Sequence, residues 1–161
     1  MPQEIERKFI LSKIPKDLPV LKIKQGYLQL DKHCTIRVRS AISSTGTKNT
    51  LTIKGPSSAS GMSRYEYETK LSKLESSNLF KICHKPIIEK TRYIFIYDNM
   101  KWELDEFHGE NQGLLIGEIE LENEWVQFDI PNFVVKEVTG EIKYYNSMLQ
   151  QKPYKNWTDT P

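Results

Sequence analysis

Cysteine and histidine are scarce in this sequence, and neither is clustered. Its 161 residues include two cysteines and three histidines. Cys34 and Cys83 fit no metal-ligand spacing, and two cysteines in an unsecreted chain are expected to be reduced thiols. The histidines lie singly along the chain, which gives little support to a histidine metal centre. Any metal that this protein binds is therefore predicted to have oxygen ligands.

Long apolar runs and a large net charge are also missing. No segment is apolar over the length needed to span a bilayer, and residues 1–4 lack the basic and apolar regions that begin a signal peptide. The formal net charge is +2, with 23 Lys and Arg against 21 Asp and Glu. Such a balance gives no overall attraction to nucleic acid or to anionic membranes. We predict a cytoplasmic protein with neither among its partners.

Alternating apolar and polar residues are the main pattern that is present. The length predicts one domain over residues 1–161, with a loose tail from about residue 153. Strands are predicted at 4–10, 22–30, 35–40, 49–54, 63–71, 88–97, 101–107 and 115–124, with an extended segment at 134–139. Helices are predicted between 72 and 86, starting with a Ser72–Glu75 capping box, and near 144–150. Together they predict a β-dominated α+β fold: a closed, eight-stranded antiparallel β-barrel with short flanking helices.

Charged side chains are concentrated on one face of these strands. Glu4, Glu6 and Lys8 point to the same side of the first strand, and Arg37 and Arg39 do so in the third. A solvated outer face is one explanation, but such a face favours neighbours of opposite sign. Like charges within one strand instead indicate a ligand that neutralises them, held inside the barrel.

The two signs of charge predict two kinds of ligand. Carboxylates provide hard oxygen ligands that suit Mg²⁺ or Mn²⁺, and the clustered ones are Glu4, Glu6, Glu118 and Glu120. Clustered cations require a dense anion, and guanidinium groups match phosphate oxygens. These cations are Lys8, Arg37, Arg39, Lys54, Lys90 and Arg92. A barrel interior with both sets is typical of a site for a metal-bound polyphosphate.

The sequence resembles the CYTH superfamily, also called triphosphate tunnel metalloenzymes. Its signature is Glu4-Ile5-Glu6-Arg7-Lys8, which matches the Glu-x-Glu-x-Lys of that family at the amino terminus. Further motifs follow in family order at 25–28, 36–39, 51–54, 64–68, 89–93, 103–105, 117–120 and 137–139. The chain is most similar to the short bacterial members that hydrolyse inorganic triphosphate.

This resemblance implies a fold, an activity and a set of roles. The fold is an eight-stranded antiparallel tunnel, and the activity is hydrolysis of a triphosphate, most simply inorganic triphosphate to diphosphate and phosphate, with Mg²⁺ or Mn²⁺. The implied metal ligands are Glu4, Glu6, Asp105, Glu118 and Glu120, supported by Glu66, Glu68 and Glu103. The implied phosphate ligands are Lys8, Arg37, Arg39, Lys54, Lys90, Arg92 and Lys143. Lys8 and Tyr27 are the candidate catalytic residues, although a packing role for Tyr27 is an equal alternative.

Three other functions remain open at this point. A class IV adenylyl cyclase, which forms cyclic AMP from ATP, and a thiamine triphosphatase would use the same metal and phosphate groups. A non-catalytic polyphosphate-binding module would have little need for so many carboxylates. The patterns also leave open whether Lys8 acts as a base, which requires a lowered pKa. One metal or two, and a monomer or a homodimer, are equally consistent with the sequence.

Overall fold

The chain folds mainly into strands, which we describe for residues 3–31 and 33–158 of a computed structural model. The strands are β1 (Gln3–Leu11), β2 (Val20–Leu30), β3 (Thr35–Ser43), β4 (Gly46–Ser57), β5 (Ser63–Lys70), β6 (Ile88–Tyr97), β7 (Met100–Phe107), β8 (Leu115–Glu120) and β9 (Val134–Glu137). The helices are α1 (Lys73–Ile82), α2 (Asn146–Gln151) and the 3₁₀ helices Gly109–Asn111, Ile142–Tyr144 and Tyr154–Asn156. Within the described ranges, no helix is long and apolar enough to cross a membrane.

The strands close into a barrel. Their order is β5-β4-β3-β2-β6-β7-β8-β1-β9, and an additional pairing of β1 with β5 joins the two ends. Strand β1 achieves this by changing partners along one edge: residues 3–5 pair with β5 and residues 9–11 pair with β9. The predicted closed, eight-stranded antiparallel barrel is confirmed, and the extended segment predicted at 134–139 supplies a ninth strand.

Local signals account for several element ends. Ser72 and Glu75 form both hydrogen bonds of the predicted capping box at the start of α1. Asp98 and Asn99 have φ values of 51° and 60°, the left-handed conformation that a two-residue hairpin turn between β6 and β7 requires. Strand β8 ends at Glu120 rather than at the predicted residue 124, because the chain leaves the barrel there and crosses its outer surface.

The apolar face of the predicted strands is the outer face of the barrel. Trp102 and Phe9 are buried there, with their ring centroids 5.2 Å apart. The segment that follows β8 covers them: the ring of Phe128 lies 5.8 Å from that of Trp102, and Phe133 joins the same cluster. One hydrophobic core therefore lies outside the barrel, beneath this covering segment.

A second core fills one end of the barrel interior. Ile10 lies two residues after Lys8, and Ile116 two residues before Glu118, so each shares the inner face with a charged neighbour. They pack in one cluster with Tyr144 and other side chains of the carboxyl-terminal segment. The interior is thus charged at one end only, and apolar side chains close the other end.

The carboxyl-terminal segment is folded against this second core. The ring of Trp157 packs 5.3 Å from that of Tyr144, and the backbone N–H of Tyr154 donates to Asn111 Oδ1 at 2.8 Å. The loose tail expected from about residue 153 is therefore not seen for residues 153–158, because two aromatic side chains anchor them. Residues 159–161 lie outside the described part of the chain.

Candidate active site

The charged end of the barrel encloses a cavity of about 430 Å³. All eight strands of the barrel contribute side chains, and Tyr145, Asn146 and Ser147 line it from the start of α2. The predicted site residues that line this cavity are Glu4, Glu6, Lys8, Tyr27, Arg37, Arg39, Lys54, Glu66, Glu68, Lys90, Arg92, Glu103, Glu118 and Glu120. The structure therefore brings together all the predicted site residues except Asp105 and Lys143.

The lining charges are segregated around the barrel. Four neighbouring strands, β5, β1, β8 and β7, carry the lining carboxylates, and we call them the acidic half. The other four, β4, β3, β2 and β6, carry most of the lining cations and form the basic half. Lys8 and Arg64 are cations on strands of the acidic half. This arrangement follows from alternation within strands combined with the strand order.

The acidic half has more carboxylates than its cations neutralise. Glu6 is directly opposite Glu120 in the pairing of β1 with β8. Burial, followed by the charges of Glu118 and Glu4, raises the pKa of Glu6 to about 8. Burial and Glu4 also raise the pKa values of Glu66 and Glu120. Raised pKa values mean that these carboxylates lack positive charge around them. A bound cation would supply that charge in place of the protons that the carboxylates otherwise retain.

Four carboxylates of the acidic half lie within 4 Å of a cation: Glu66 and Glu103 are 3.6 and 3.3 Å from Lys54 and Arg92, and the other two are Glu4 and Glu118. Glu4 Oε1 accepts from Lys54 Nζ at 2.7 Å, and this contact outweighs burial and lowers the pKa of Glu4. Glu118 lies 3.7 Å from Lys8 Nζ, and its pKa is also lowered, since Lys8 and Arg92 outweigh the effect of burial. Both groups are therefore ionised at neutral pH and join the acidic half to nearby cations.

Asp105, one of the predicted metal ligands, lies apart from the other four. It is fully buried and does not line the cavity. Arg92 donates to both of its oxygens, at 2.8 and 2.9 Å, and Lys90 Nζ lies 2.7 Å from Oδ2. Burial raises the pKa of Asp105, but the charges of Arg92 and Lys90 lower it by more, so the net shift is downward and the carboxylate is ionised. Asp105 thus anchors two cations of the basic half from behind.

Arg37 and Arg39 have no carboxylate partner within 4 Å among the described residues. Arg39 donates to the neutral Gln25 Oε1, and burial together with Arg37 and Arg92 lowers its pKa to about 9. Arg37 Nη2 donates to Thr52 Oγ1 at 3.2 Å, while its Nε is buried with no hydrogen-bond partner among the described residues. A donor in this state can bond to a water or to a ligand that enters the cavity. The basic half is accordingly suited to an anion.

Lys8 is a buried cation of the acidic half that lies next to the segment preceding α2. Burial lowers its pKa, but Glu118 and Glu6 more than compensate, so the net shift is upward. Its Nζ donates to the Tyr144 carbonyl at 3.4 Å and lies 5.2 Å from the Tyr145 ring centroid. A general base would need the opposite shift, so this environment favours Lys8 as a cation that contacts phosphate.

Tyr27 occupies a position that is compatible with either of the roles considered from the sequence. It is buried in the inner apolar core and also lines the cavity. Its hydroxyl accepts a hydrogen bond from Gln25 Nε2 at 3.2 Å.

Lys143 lies apart from the cavity lining. Its ammonium is 4.6 Å from the centroid of the Trp157 ring and 5.3 Å from that of Tyr144. Conversely, the structure adds lining residues that the sequence did not assign, including Arg64 and Asn146. Arg64 has the same alternation as Glu66, so its inward direction was readable from the pattern. Asn146 comes from a short helix, where no such signal exists.

The acidic half fits a divalent cation in its chemistry, since it offers buried carboxylate oxygens in excess of its cations. In the part of the chain that the structure describes, however, no group of three or more His, Cys, Asp or Glu side chains converges closely enough to hold a metal ion. The carboxylates would have to close around the ion as it binds.

Comparison with known proteins agrees with this architecture. Residues 2–147 match the CYTH domain. A protein named inorganic triphosphatase from Acetivibrio thermocellus is 43% identical over 162 residues, which cover 99% of this chain and 100% of that protein. Another of the same name from Nitrosomonas europaea is 32% identical over 150 residues, 91% of this chain and 95% of that one.

A solved structure of an inorganic triphosphatase superposes with a TM-score of 0.66 at 29% identity, covering 93% of this chain and 95% of that one. The family match spans the strands that line the cavity and reaches the first two residues of α2. The resemblance found in the sequence is thereby confirmed: the chain belongs to the CYTH family.

Proposed function

We propose that this protein hydrolyses inorganic triphosphate to diphosphate and phosphate, with Mg²⁺ or Mn²⁺ in the acidic half and the triphosphate against the basic half. The observation that carries this proposal is one cavity lined by two facing sets of groups. Carboxylates that outnumber the nearby cations line the acidic half, and the basic half holds Arg39, whose hydrogen-bond acceptor is a neutral amide. The relatives named inorganic triphosphatase support the same substrate.

The acidic half would hold the metal. Glu4, Glu6, Glu118 and Glu120 are the proposed ligands, since they lie on the adjacent strands β1 and β8 and face the cavity. A divalent cation, when bound, neutralises phosphate charge and lowers the pKa of a coordinated water. Glu66, Glu68 and Glu103 flank these ligands on the neighbouring strands and would support them.

The basic half would bind and orient the triphosphate. Arg37 and Arg39 point inward from one strand, and both have hydrogen-bonding capacity left for phosphate oxygens. Lys54 and Lys90 extend this surface on β4 and β6. Phosphoryl transfer needs mainly alignment and charge stabilisation, so fixed cations around the transferred group supply what the reaction requires.

Lys8 would contact the phosphate chain from the acidic side. Its upward pKa shift keeps it protonated, so it stabilises negative charge and does not accept the proton of the attacking water. Glu6 is the group in this half whose pKa lies nearest neutrality. In its ionised form, the Glu6 carboxylate could orient a water by accepting a hydrogen bond.

The cavity offers little to an organic group. An aromatic face on which to stack would favour binding of thiamine or adenine. Among the described residues, the aromatic side chains lining the cavity are Tyr27 and Tyr145, and the Tyr145 ring already has Lys8 and Arg64 within 5.5 Å of its centroid. This favours inorganic triphosphate over thiamine triphosphate and over ATP as a cyclase substrate.

The test is a side-by-side assay of inorganic triphosphate, thiamine triphosphate and ATP with Mg²⁺, with Mn²⁺ and with a chelator. We expect phosphate release to be fastest from inorganic triphosphate and to stop with the chelator. Formation of cyclic AMP from ATP would instead assign a cyclase. Tight binding of triphosphate without turnover of any substrate would assign a binding module.

A further inference from the structure

Gln25 is a fully buried amide in the basic half whose hydrogen-bonding capacity is entirely used. Its Oε1 accepts from Arg39 Nε at 3.0 Å and from Arg39 Nη2 at 2.8 Å. Its Nε2 donates to Asn146 Oδ1 at 3.0 Å and to the Tyr27 hydroxyl at 3.2 Å. Two acceptor and two donor positions are thus all occupied, and a side chain with this pattern has one defined orientation.

Chemistry fixes the direction of each of these bonds. Arginine and lysine can only donate, so the oxygen of Gln25 must face Arg39, and the oxygen of Asn146 must face Lys90. Lys90 Nζ does donate to Asn146 Oδ1, at 3.0 Å. A continuous chain of neutral amides therefore connects two cations of the cavity, and it joins β2, β3 and β6 to the first residue of α2.

The neutrality of this chain distinguishes Arg39 from Lys54, Lys90 and Arg92. Lys54 is paired with Glu4, while Lys90 and Arg92 share Asp105. A carboxylate in place of the Gln25 amide would form a bidentate pair with Arg39 and cancel its charge. The amide accepts the same two hydrogen bonds and leaves the positive charge in place. It therefore gives direction to the guanidinium without neutralising it.

We propose that Gln25 is a positioning residue that orients Arg39 in the cavity and keeps its charge available to the triphosphate. It acts through Arg39 and does not itself touch the substrate. This inference rests on the proposed function, because it takes inorganic triphosphate as the anion that Arg39 binds.

Binding without metal separates this role from catalysis. The dissociation constant of inorganic triphosphate is measured by calorimetry in the presence of a chelator, so that no hydrolysis occurs. We expect Gln25→Glu to weaken binding about tenfold, since it neutralises the charge that the anion would meet. The same variant should raise KM for triphosphate more than it lowers kcat. Gln29→Glu is the matched control, because Gln29 is exposed on the same strand and is expected to bind triphosphate as the wild type does.

A double-mutant cycle tests whether Gln25 acts through Arg39. Gln25→Leu should weaken triphosphate binding about tenfold in the wild-type background and have little further effect in an Arg39→Leu background. Melting temperatures check that each variant is folded. If Gln25→Leu does not fold, the isosteric Gln25→Glu decides the question alone.

Two results would overturn the inference while leaving the proposed function intact. One is wild-type affinity in Gln25→Glu, and the other is an equal loss of affinity from Gln25→Leu in both backgrounds. If the wild-type protein itself neither binds nor hydrolyses inorganic triphosphate, the proposed function fails and this inference fails with it.

Discussion

The acidic and basic halves of the cavity differ in how far the protein neutralises its own charges. Two cations of the basic half, Lys90 and Arg92, are both bonded to the buried Asp105 of the adjacent strand β7, which holds them in place. In the acidic half, Glu6 has a pKa near 8 because burial and two neighbouring carboxylates act together on it. The basic half is therefore already organised, whereas the acidic half depends on bound protons or a cation.

This difference predicts different responses of the two halves to pH. A cation entering the acidic half must displace protons, so its binding should strengthen as the pH rises towards 8. Arg39 stays charged at neutral pH, because its pKa is lowered only to about 9. Lys90 is more sensitive, since burial lowers its pKa to about 7 despite its contact with Asp105.

The largest effect is expected from Asp105→Asn, which removes the internal anchor of the basic half. Lys90 and Arg92 would then be buried cations that have lost their shared counter-charge, so we expect a loss of about 3–5 kcal/mol in the free energy of unfolding. Urea denaturation measures it. Asp129→Asn, at an exposed position, is the control. A free energy of unfolding equal to that of the wild type would show that Asp105 does not anchor this half.

Glu6→Gln is expected to separate activity from stability in the acidic half. It removes a proposed metal ligand, so phosphate release should fall on the order of a hundredfold or more. In the presence of a chelator, the same variant should melt at a higher temperature than the wild type near pH 8, by roughly 4 °C. Glu122→Gln, an exposed position just beyond β8, should change neither quantity.

The sign of this stability effect follows from proton linkage. The pKa of Glu6 is about 8 in the folded chain against 4.5 ordinarily, so the folded state binds more protons in that interval. The contribution of Glu6 to the stability of the metal-free protein is therefore greatest below pH 4.5, and it decreases as the pH rises to about 8. Glu6→Gln does not titrate, so its advantage should grow across the same window. An advantage that is independent of pH would contradict the assigned pKa.

Tyr27→Phe should have a smaller effect, because it deletes one hydrogen bond at the edge of the basic half. The ring still packs in the inner core, and Gln25 keeps its bonds to Arg39. We expect turnover at saturating triphosphate to change by no more than about threefold. A fall of a hundredfold with an unchanged melting temperature would instead place the Tyr27 hydroxyl in the chemistry.

Lys143→Ala should affect triphosphate turnover least, because Lys143 lies outside both halves. Its contacts with the Tyr144 and Trp157 rings predict a loss of about 1 kcal/mol in stability. The KM for triphosphate should stay at the wild-type value in a steady-state assay. A tenfold rise in KM would show that this lysine reaches the substrate after all.

Alternation within strands was enough to predict the barrel and most of the cavity lining. Alternation could not predict the surroundings of a side chain whose partner comes from another strand or from the end of the chain. Asp105 alternates in step with Glu103, yet the register of β6 and β7 places it opposite Arg92 and buries it. Gln25 meets Asn146 across 121 positions of sequence. Ile10 shares a face with Lys8, so periodicity could not show that one end of the interior is apolar.

The most direct test of the two-sided cavity is a crystal structure with Mn²⁺ and inorganic triphosphate bound to Glu6→Gln, in which slow turnover preserves the substrate. Anomalous scattering locates the metal. We expect Mn²⁺ at about 2.1 Å from carboxylate oxygens of Glu4, Glu118 or Glu120, with phosphate oxygens against Arg37 and Arg39. Metal bound at Asp105, or triphosphate bound outside the barrel, would contradict this account.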